Sequence, residues 1–522
     1  MPRWLTTSRV VIGAAMSVFV VATILPLLFM LVEALAGSGL APLLLDVRQR
    51  TLLYNTAALG VGAAAFAVVL GVPLGFGLAR LRSRYSMPLR VALAAPVLLP
   101  PYIVGLSWTY IGGAAGIVAT VVGRDLLSQW TYSLPAAAVV LALVYYPVVM
   151  LATEVALRQI DPHLEESALI AAPPARVLLH ITLALAAPAI AGAALIVFVL
   201  AASEFGIPGL LRVRVYTTEI FTAFAALYDF GRAIVLTLPL LFVTGAMSAV
   251  AGALLGPRVV ATRRPGHDAP VFDLGMWRVP LLSLAIAILA VALVLPIVVL
   301  AREASTTSIV SIALRSWPSV RASLLLATVG ATLVVAVGAW LGYARARAPS
   351  RLGLLTDVLC VVLFAVPSTV VGVALIGLWN RPGIVGAVYG TAAMFILVYL
   401  ARFLPVAVVV VAAAVRQVPV SHEEASAVAG ATWLRTVTDV VTPQVARGLA
   451  AVWFVVFVLA FGELGASVLV SPPGESTLPI RIYTIIANTP SSVVAALALF
   501  QAGVIFVPLA VAGLYLTRRA AL

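Results

Sequence analysis

Apolar runs of about 20 residues recur along this chain, separated by short stretches where arginine, glycine and proline gather. A run of that length with few charges is what an α-helix needs to cross the hydrocarbon core of a bilayer. Twelve are expected, near 10–36, 52–79, 91–112, 134–156, 182–203, 234–256, 279–301, 322–344, 354–378, 392–414, 446–468 and 493–516. The expected fold is therefore all-α, a polytopic membrane protein with about twelve transmembrane helices. In the first run Ala34-Leu35-Ala36 imitates a signal-peptide cleavage site. The apolar stretch before it exceeds the roughly 7–15 residues of a secretory leader, so it reads as an anchor.

Composition agrees. Hydrophobic residues make up 63% of the 522 and charged residues 10%, against roughly 25% charged in a soluble domain. The net charge of +13 would suit nucleic acid, but the arginines follow the membrane instead. With the N-terminus inside, twenty lie on the cytoplasmic side and eleven on the other, leaving Arg402 within a span. The densest clusters, Arg80/Arg82/Arg84/Arg90, Arg258/Arg263/Arg264/Arg278 and Arg345/Arg347/Arg351, all fall inside, as the positive-inside rule requires. The basic balance is topology, no nucleic-acid partner is expected, and both termini are placed in the cytoplasm. Cys360 stands alone, which excludes an intrachain disulfide and a cysteine-pair metal site. The chain contains no lysine, so it carries no Walker A loop and is no P-loop ATPase. The histidines His163, His180, His267 and His422 fall in expected cytoplasmic loops or the linker, without a metal-ligand constellation. Neither a catalytic residue nor a metal site is expected.

The chain is also written twice. The polar stretch 256–270 divides it into a first half (1–256), a linker (257–276) and a second half (277–522). Gly71-Val72-Pro73-Leu74-Gly75-Phe76 answers Gly338-Ala339-Trp340-Leu341-Gly342-Tyr343 at an offset of 267, as Pro100 and Gly105 answer Pro367 and Gly372. Pro147, Arg158-Gln159 and Glu165-Glu166 answer Pro405, Arg416-Gln417 and Glu423-Glu424 at 258, and Glu204-Phe205-Gly206 answers Glu463-Leu464-Gly465 at 259. Such self-similarity marks an internal repeat. Six spans per repeat make the copies parallel, with a pseudo-two-fold axis along the membrane normal and a path at their interface. That organisation points to transport.

Between the fourth and fifth spans of each half lies a charged stretch too polar to cross a membrane, HLEESALIAAPPAR (163–176) and HEEASAVAGATWLR (422–435). Each reads as two short helices and a bend. The glutamates belong at the start of the first helix, where the dipole favours negative charge. Gly430 suits the left-handed residue that ends a helix, and Thr432 suits the cap of the next. In the first copy Pro173-Pro174 forces the bend, because the residue before a proline leaves the helical region.

Glu424-Ala425-Ser426, three residues, Gly430 and then Val440-Val441-Thr442-Pro443 resembles the EAA loop of binding-protein-dependent ABC importer permeases. In that family the loop forms a coupling helix that docks into a separate ATPase subunit. The resemblance implies coupling residues Glu165, Glu166, Ser167, Ala168 and Ala172 in the first copy, and Glu423, Glu424, Ala425, Ser426 and Gly430 in the second. The first copy departs from the pattern: Ala172 replaces the glycine, and Ala184 or a neighbour replaces the proline. Implied partners are a cytoplasmic ABC ATPase in two copies, an extracytoplasmic solute-binding protein and the lipid bilayer of a bacterial plasma or inner membrane. No cofactor is expected in this chain, ATP being bound by the partner. The fused two-half form further resembles the iron(III)- and thiamine-type permeases, and segments 215–221 and 476–483 resemble external segments of that group and of molybdate/sulfate permeases. Ferric iron is the first expectation for the substrate, with thiamine, phosphonate, polyamine and oxyanion as alternatives.

Charges inside spans cost about 3 kcal/mol on insertion scales, so they are functional candidates. Arg402 lies in the tenth span, where the first half has Val144, and Glu463 lies near the outer part of the eleventh, with Glu204 as its repeat partner. Two readings stand: Arg402 and Glu463 pair beside the solute path, or the glutamates face external water while Arg402 braces a packed helix. Pro100 and Pro367 interrupt apolar runs, as kinks that gate the path or merely shape the bundle. A secondary transporter of the major-facilitator kind would also carry two parallel six-span halves, but would need no duplicated EAA loop. A membrane enzyme or sensor would need a catalytic cluster or an added domain.

Overall fold

The computed structural model describes residues 3–38, 46–81, 86–113, 116, 124–254, 275–348 and 350–520. Nearly all of the 257–276 linker, with His267, Arg258, Arg263 and Arg264, lies outside the described residues, as do Arg82 and Arg84. Among those described, every regular element is helical.

Among the described residues, ten helices are long and apolar enough to cross a membrane: Val10–Ala36, Val47–Arg80, Leu134–Gln159, Pro174–Ala202, Phe230–Leu254, Arg278–Ala304, Trp317–Arg347, Ala393–Arg416, Trp433–Phe461 and Ser491–Leu509. The expected third and ninth spans are not straight crossings. Met87–Leu98 meets Pro101–Gly112 at 85°, and Thr356–Phe364 meets Ser368–Trp379 at 96°. Counting each bent pair as one span gives twelve. Proline causes both breaks: Pro100 and Pro367 have ψ of 128° and 142°, outside the helical region, and each precedes the first residue of the second arm. What the sequence suggested as kinks are near right angles.

The helices pack as two compact units. One is built from described residues of 1–45, 219–245 and 316–484, the other from 46–218, 246–315 and 485–522. Each unit thus takes segments from both sequence halves. In the former, the first span lies against the ninth, where Arg381 Nη2 meets Glu33 Oε1 at 2.9 Å and its guanidinium sits 4.8 Å from the Phe29 ring. In the latter, the seventh span lies against the second, with Leu281 3.7 Å from the position a Cβ on Gly77 would take.

The repeated glycines have a packing reason. A Cβ on Gly75 would fall 2.5 Å from the Met150 carbonyl oxygen, and one on Gly71 2.9 Å from that of Tyr146. In the other copy, a Cβ on Gly338 or Gly342 would lie 2.7 Å from Cβ of Ala407 or Val411. Without a hydrophobic force between helices in lipid, small residues four apart let two backbones approach closely. The second span of each repeat therefore lies against the fourth along a track of glycine.

Candidate functional site

The first acidic element begins at Asp161, whose side chain accepts the N–H of His163 at 3.0 Å. Pro162 opens the helix Pro162–Ala171, where its missing N–H is an orphan anyway. Glu165 falls in the first turn, and Glu166 follows about 100° further round the helix. That phase sends the two carboxylates to different places. Glu165 is buried: both its oxygens accept from Arg80 Nη2, at 2.6 and 2.8 Å, and Thr182 donates its hydroxyl to Oε1 at 2.7 Å. Glu166 is exposed, with Oε2 3.3 Å from His163 Nδ1. Ser167 returns its hydroxyl to the His163 carbonyl at 2.7 Å, and Ala168 is half-buried. The helix ends at Ala172, whose φ of −146° and ψ of 150° are extended because Pro173 follows. After Pro174–Val177 the backbone widens into a π-helical turn, Leu178–Thr182, and enters the fifth span.

The second element is Val420–Val428. Glu423 turns inward: Arg347 donates to Oε1 from Nε at 2.9 Å and also from Nη2, and Tyr343 donates its hydroxyl to Oε2 at 2.7 Å. Glu424 and Ala425 are exposed. Gly430 ends the helix at φ +82°, a conformation only glycine takes without strain. Thr432 accepts the Arg435 N–H at 3.4 Å and caps Trp433–Arg435. The Trp433 ring lies 5.7 Å from Trp340 and 5.9 Å from Tyr343. Ser426 and Thr436 pair their hydroxyls at 2.9 Å. A π-helical turn, Thr436–Val441, again leads into the long apolar helix.

Both stretches form the two short helices and the bend that the sequence suggests, but sequence reasoning missed their arginine partners. Arg80 and Arg347 were read only as topology charges, yet they stand 267 apart, the same offset as the glycine block on the same helices. The repeat itself carried the signal.

Arg402 and Glu463 do pair, Nη1 to Oε1 at 2.9 Å. Glu463 lies beyond the end of the eleventh span rather than within it, and at 4% exposure it does not face water. Its carboxylate also accepts the backbone N–H of Ala466 at 2.9 Å and of Ser467 at 2.8 Å, and the Ser467 hydroxyl. Arginine and a short helix start draw it inward, which overturns the water-facing reading for this residue. Glu204 is half-buried, accepting the Gly206 N–H at 2.8 Å and the Tyr145 hydroxyl at 3.3 Å. The Glu-x-Gly turns pack on the second arms of the bent pairs. Cβ atoms on Gly105 and Gly372 would lie 3.1 Å from Ile207 Cγ1 and 2.9 Å from Leu469 Cδ1.

Among the described residues, ten to twelve helices long and apolar enough to cross a membrane, with an acidic elbow duplicated at matched places, define a polytopic transport component. Residues 334–520 match the binding-protein-dependent transport system inner membrane component family. The chain is 33% identical over 159 residues to the ABC transporter permease protein ORF1 of Streptomyces antibioticus, a match covering 30% of this chain and 68% of that one. It is 23% identical over 499 residues to the Fe(3+)-transport system permease protein FbpB 2 of Haemophilus influenzae, covering 92% of each. To the molybdenum transport system permease protein ModB of Mycobacterium tuberculosis it is 30% identical over 162 residues, 30% of this chain and 60% of that one. The chain belongs to the binding-protein-dependent transport system inner membrane component family. It is an ABC importer permease, not an enzyme, and the major-facilitator reading falls away.

Proposed function

We propose that this permease imports ferric iron, delivered by an extracytoplasmic binding protein and driven by a cytoplasmic ATPase, one copy on each acidic elbow. ATP is bound and hydrolysed by that partner. The carrying observation is a matched pair of outward features on each short helix. Beside the exposed Glu166 and Glu424 stand Ile170, 89% exposed, and Val428, 90% exposed, 258 positions apart. One bare apolar side chain is ordinary on a surface, but its recurrence beside a carboxylate at the matched position of both elbows supports a protein interface there. The arginine distribution supports a topology with both elbows and both termini in the cytoplasm, residues 1–256 and 277–522 being the two permease halves joined by the 257–276 linker.

Iron is preferred to an oxyanion because the ferric relative aligns over 92% of this chain and the molybdenum relative over 30%. Within the unit that holds them, Arg402 and Glu463 flank the solute route. Glu204 does so in its own unit, and the bends at Pro100 and Pro367 serve as gates.

Co-purification of the permease with its ATPase, and ferric uptake into proteoliposomes holding both, test this reading. The ATPase is lost on Glu424→Arg or Gly430→Pro, and uptake falls on Arg402→Leu at normal expression. Uptake that persists without any ATPase, or labelling that puts 163–176 and 422–435 outside, removes the proposal.

A further inference from the structure

We infer that the two adjacent glutamates of each elbow divide the work: the outer one meets the ATPase, and the inner one drives the second span of its own repeat as a rod. This rests on the docking reading above. Glu165 and Glu423 each grip the arginine that ends a second span, Arg80 or Arg347. At the other end of that same helix a hydroxyl holds a second element. Thr56 Oγ1 accepts the N–H of Tyr216 at 3.1 Å, at the start of the helix Tyr216–Phe221. Ser323 Oγ accepts the N–H of Leu478 at 2.6 Å, at the start of Leu478–Ile485. Both receiving helices follow a Glu-x-Gly turn, Glu204-Phe205-Gly206 or Glu463-Leu464-Gly465.

The geometry is the same twice. From hydroxyl to arginine is 80 − 56 = 24 residues in one copy and 347 − 323 = 24 in the other. At 1.5 Å per residue that is about 36 Å, the reach of one membrane crossing. Each rod is one unbroken helix, Val47–Arg80 or Trp317–Arg347. Thr56 and Ser323 are both buried, so neither contact is a solvated accident. An ion pair at the driven end suits this task, since a charge-assisted bond is shorter and about twice as strong as a neutral one. The hydroxyl contact at the far end is neutral and local, so it reports a shift of the rod without anchoring the fold.

The test uses the full permease with its ATPase and binding protein in proteoliposomes, reading three quantities. These are ATPase co-purification, stimulation of ATP hydrolysis by loaded binding protein, and ferric ions imported per ATP. Glu423→Gln keeps the ATPase bound yet lowers stimulation and import per ATP about five- to tenfold, the loss of a typical coupling between linked sites. The exchange Arg347→Glu with Glu423→Arg restores much of it. Ser323→Ala, far from the docking helix, also lowers stimulation with docking intact, and it carries the test if Glu423→Gln fails to fold. Parent-like stimulation in both Glu423→Gln and Ser323→Ala overturns the rod alone, as does loss of docking in Ser323→Ala. A parent chain that holds no ATPase overturns the docking reading first.

Discussion

In the first elbow Glu165 is held between Arg80 on the second span and Thr182 at the entrance to the fifth. In the second, Glu423 takes both partners, Arg347 and Tyr343, from one helix. The hydroxyl has moved. Thr182 is answered by Val440, and Tyr343 by Phe76, whose ring sits 6.0 Å from the Arg80 guanidinium. The second elbow regains its tie to the following helix through Ser426 and Thr436, and adds Trp433 against Trp340. The matching first-copy residues, Ala168, Leu178, Ala175 and Pro73, offer none of these.

A similar exchange occurs one layer away. Arg90 and Arg158 close on Glu154 in one copy, whereas Arg345 and Arg416 close on Asp357 in the other, with Asp357 standing where Arg90 stood. Duplication has kept the inner ion pair and the sites of charge pairing while the polarity and the supporting groups changed. Of these charge pairs, the inner one keeps both of its residues in both copies.

The largest test of the comparison is burial. Arg80 and Glu165 side chains are 7% and 2% exposed, Arg347 and Glu423 20% and 14%. Breaking a buried pair by removing one partner costs about 3–5 kcal/mol, because the other charge is stranded. Glu165→Gln is expected to lower the detergent unfolding temperature most, and Glu423→Gln about half as much. Equal shifts would show that burial does not separate the two elbows.

The bends differ next. Gly430→Ala forces a side chain into the left-handed region, costing roughly 1–2 kcal/mol. Ala172→Gly, at an extended residue, is expected to cost under about 0.5 kcal/mol, from backbone entropy alone. Thermal unfolding of the pair checks this contrast. The smallest effect concerns the displaced hydroxyl: Thr182→Val and Tyr343→Phe each lose one hydrogen bond, about 1 kcal/mol or less. Adding Val440→Thr to Tyr343→Phe should recover part of the loss, if the two arrangements are interchangeable.

The apolar periodicity, the repeat and the chemistry of both bends were legible in the sequence, because each is local. Gly430, Thr432 and Pro173 act on their own backbone, and that needs no knowledge of the fold. The opposed directions of Glu165 and Glu166 were not legible, since they depend on where the helix starts, which Asp161 and Pro162 decide. Long-range pairing was harder still. Arg80 looked like any arginine at a membrane edge until Glu165 was found beneath it. Length and apolarity also could not distinguish a straight span from one broken at Pro100 or Pro367. Nor could they show that the first span of each repeat packs in a unit with helices of the other repeat.

Those two breaks carry a consequence. The Leu99 and Val366 N–H groups turn back to the Pro96 and Leu363 carbonyls. A helix interrupted within hydrocarbon still leaves part of its last turn without amide partners, and hydrocarbon supplies none. Leu99, Tyr102 and Ile103 around one break, and Val366, Thr369 and Val370 around the other, are buried, so protein encloses both corners. Shedding that cladding would turn the unpartnered peptide groups toward hydrocarbon, at several kcal/mol each. Each corner is therefore expected to travel with the helices wrapped around it as a block, leaving relative sliding to surfaces whose peptide groups are already satisfied.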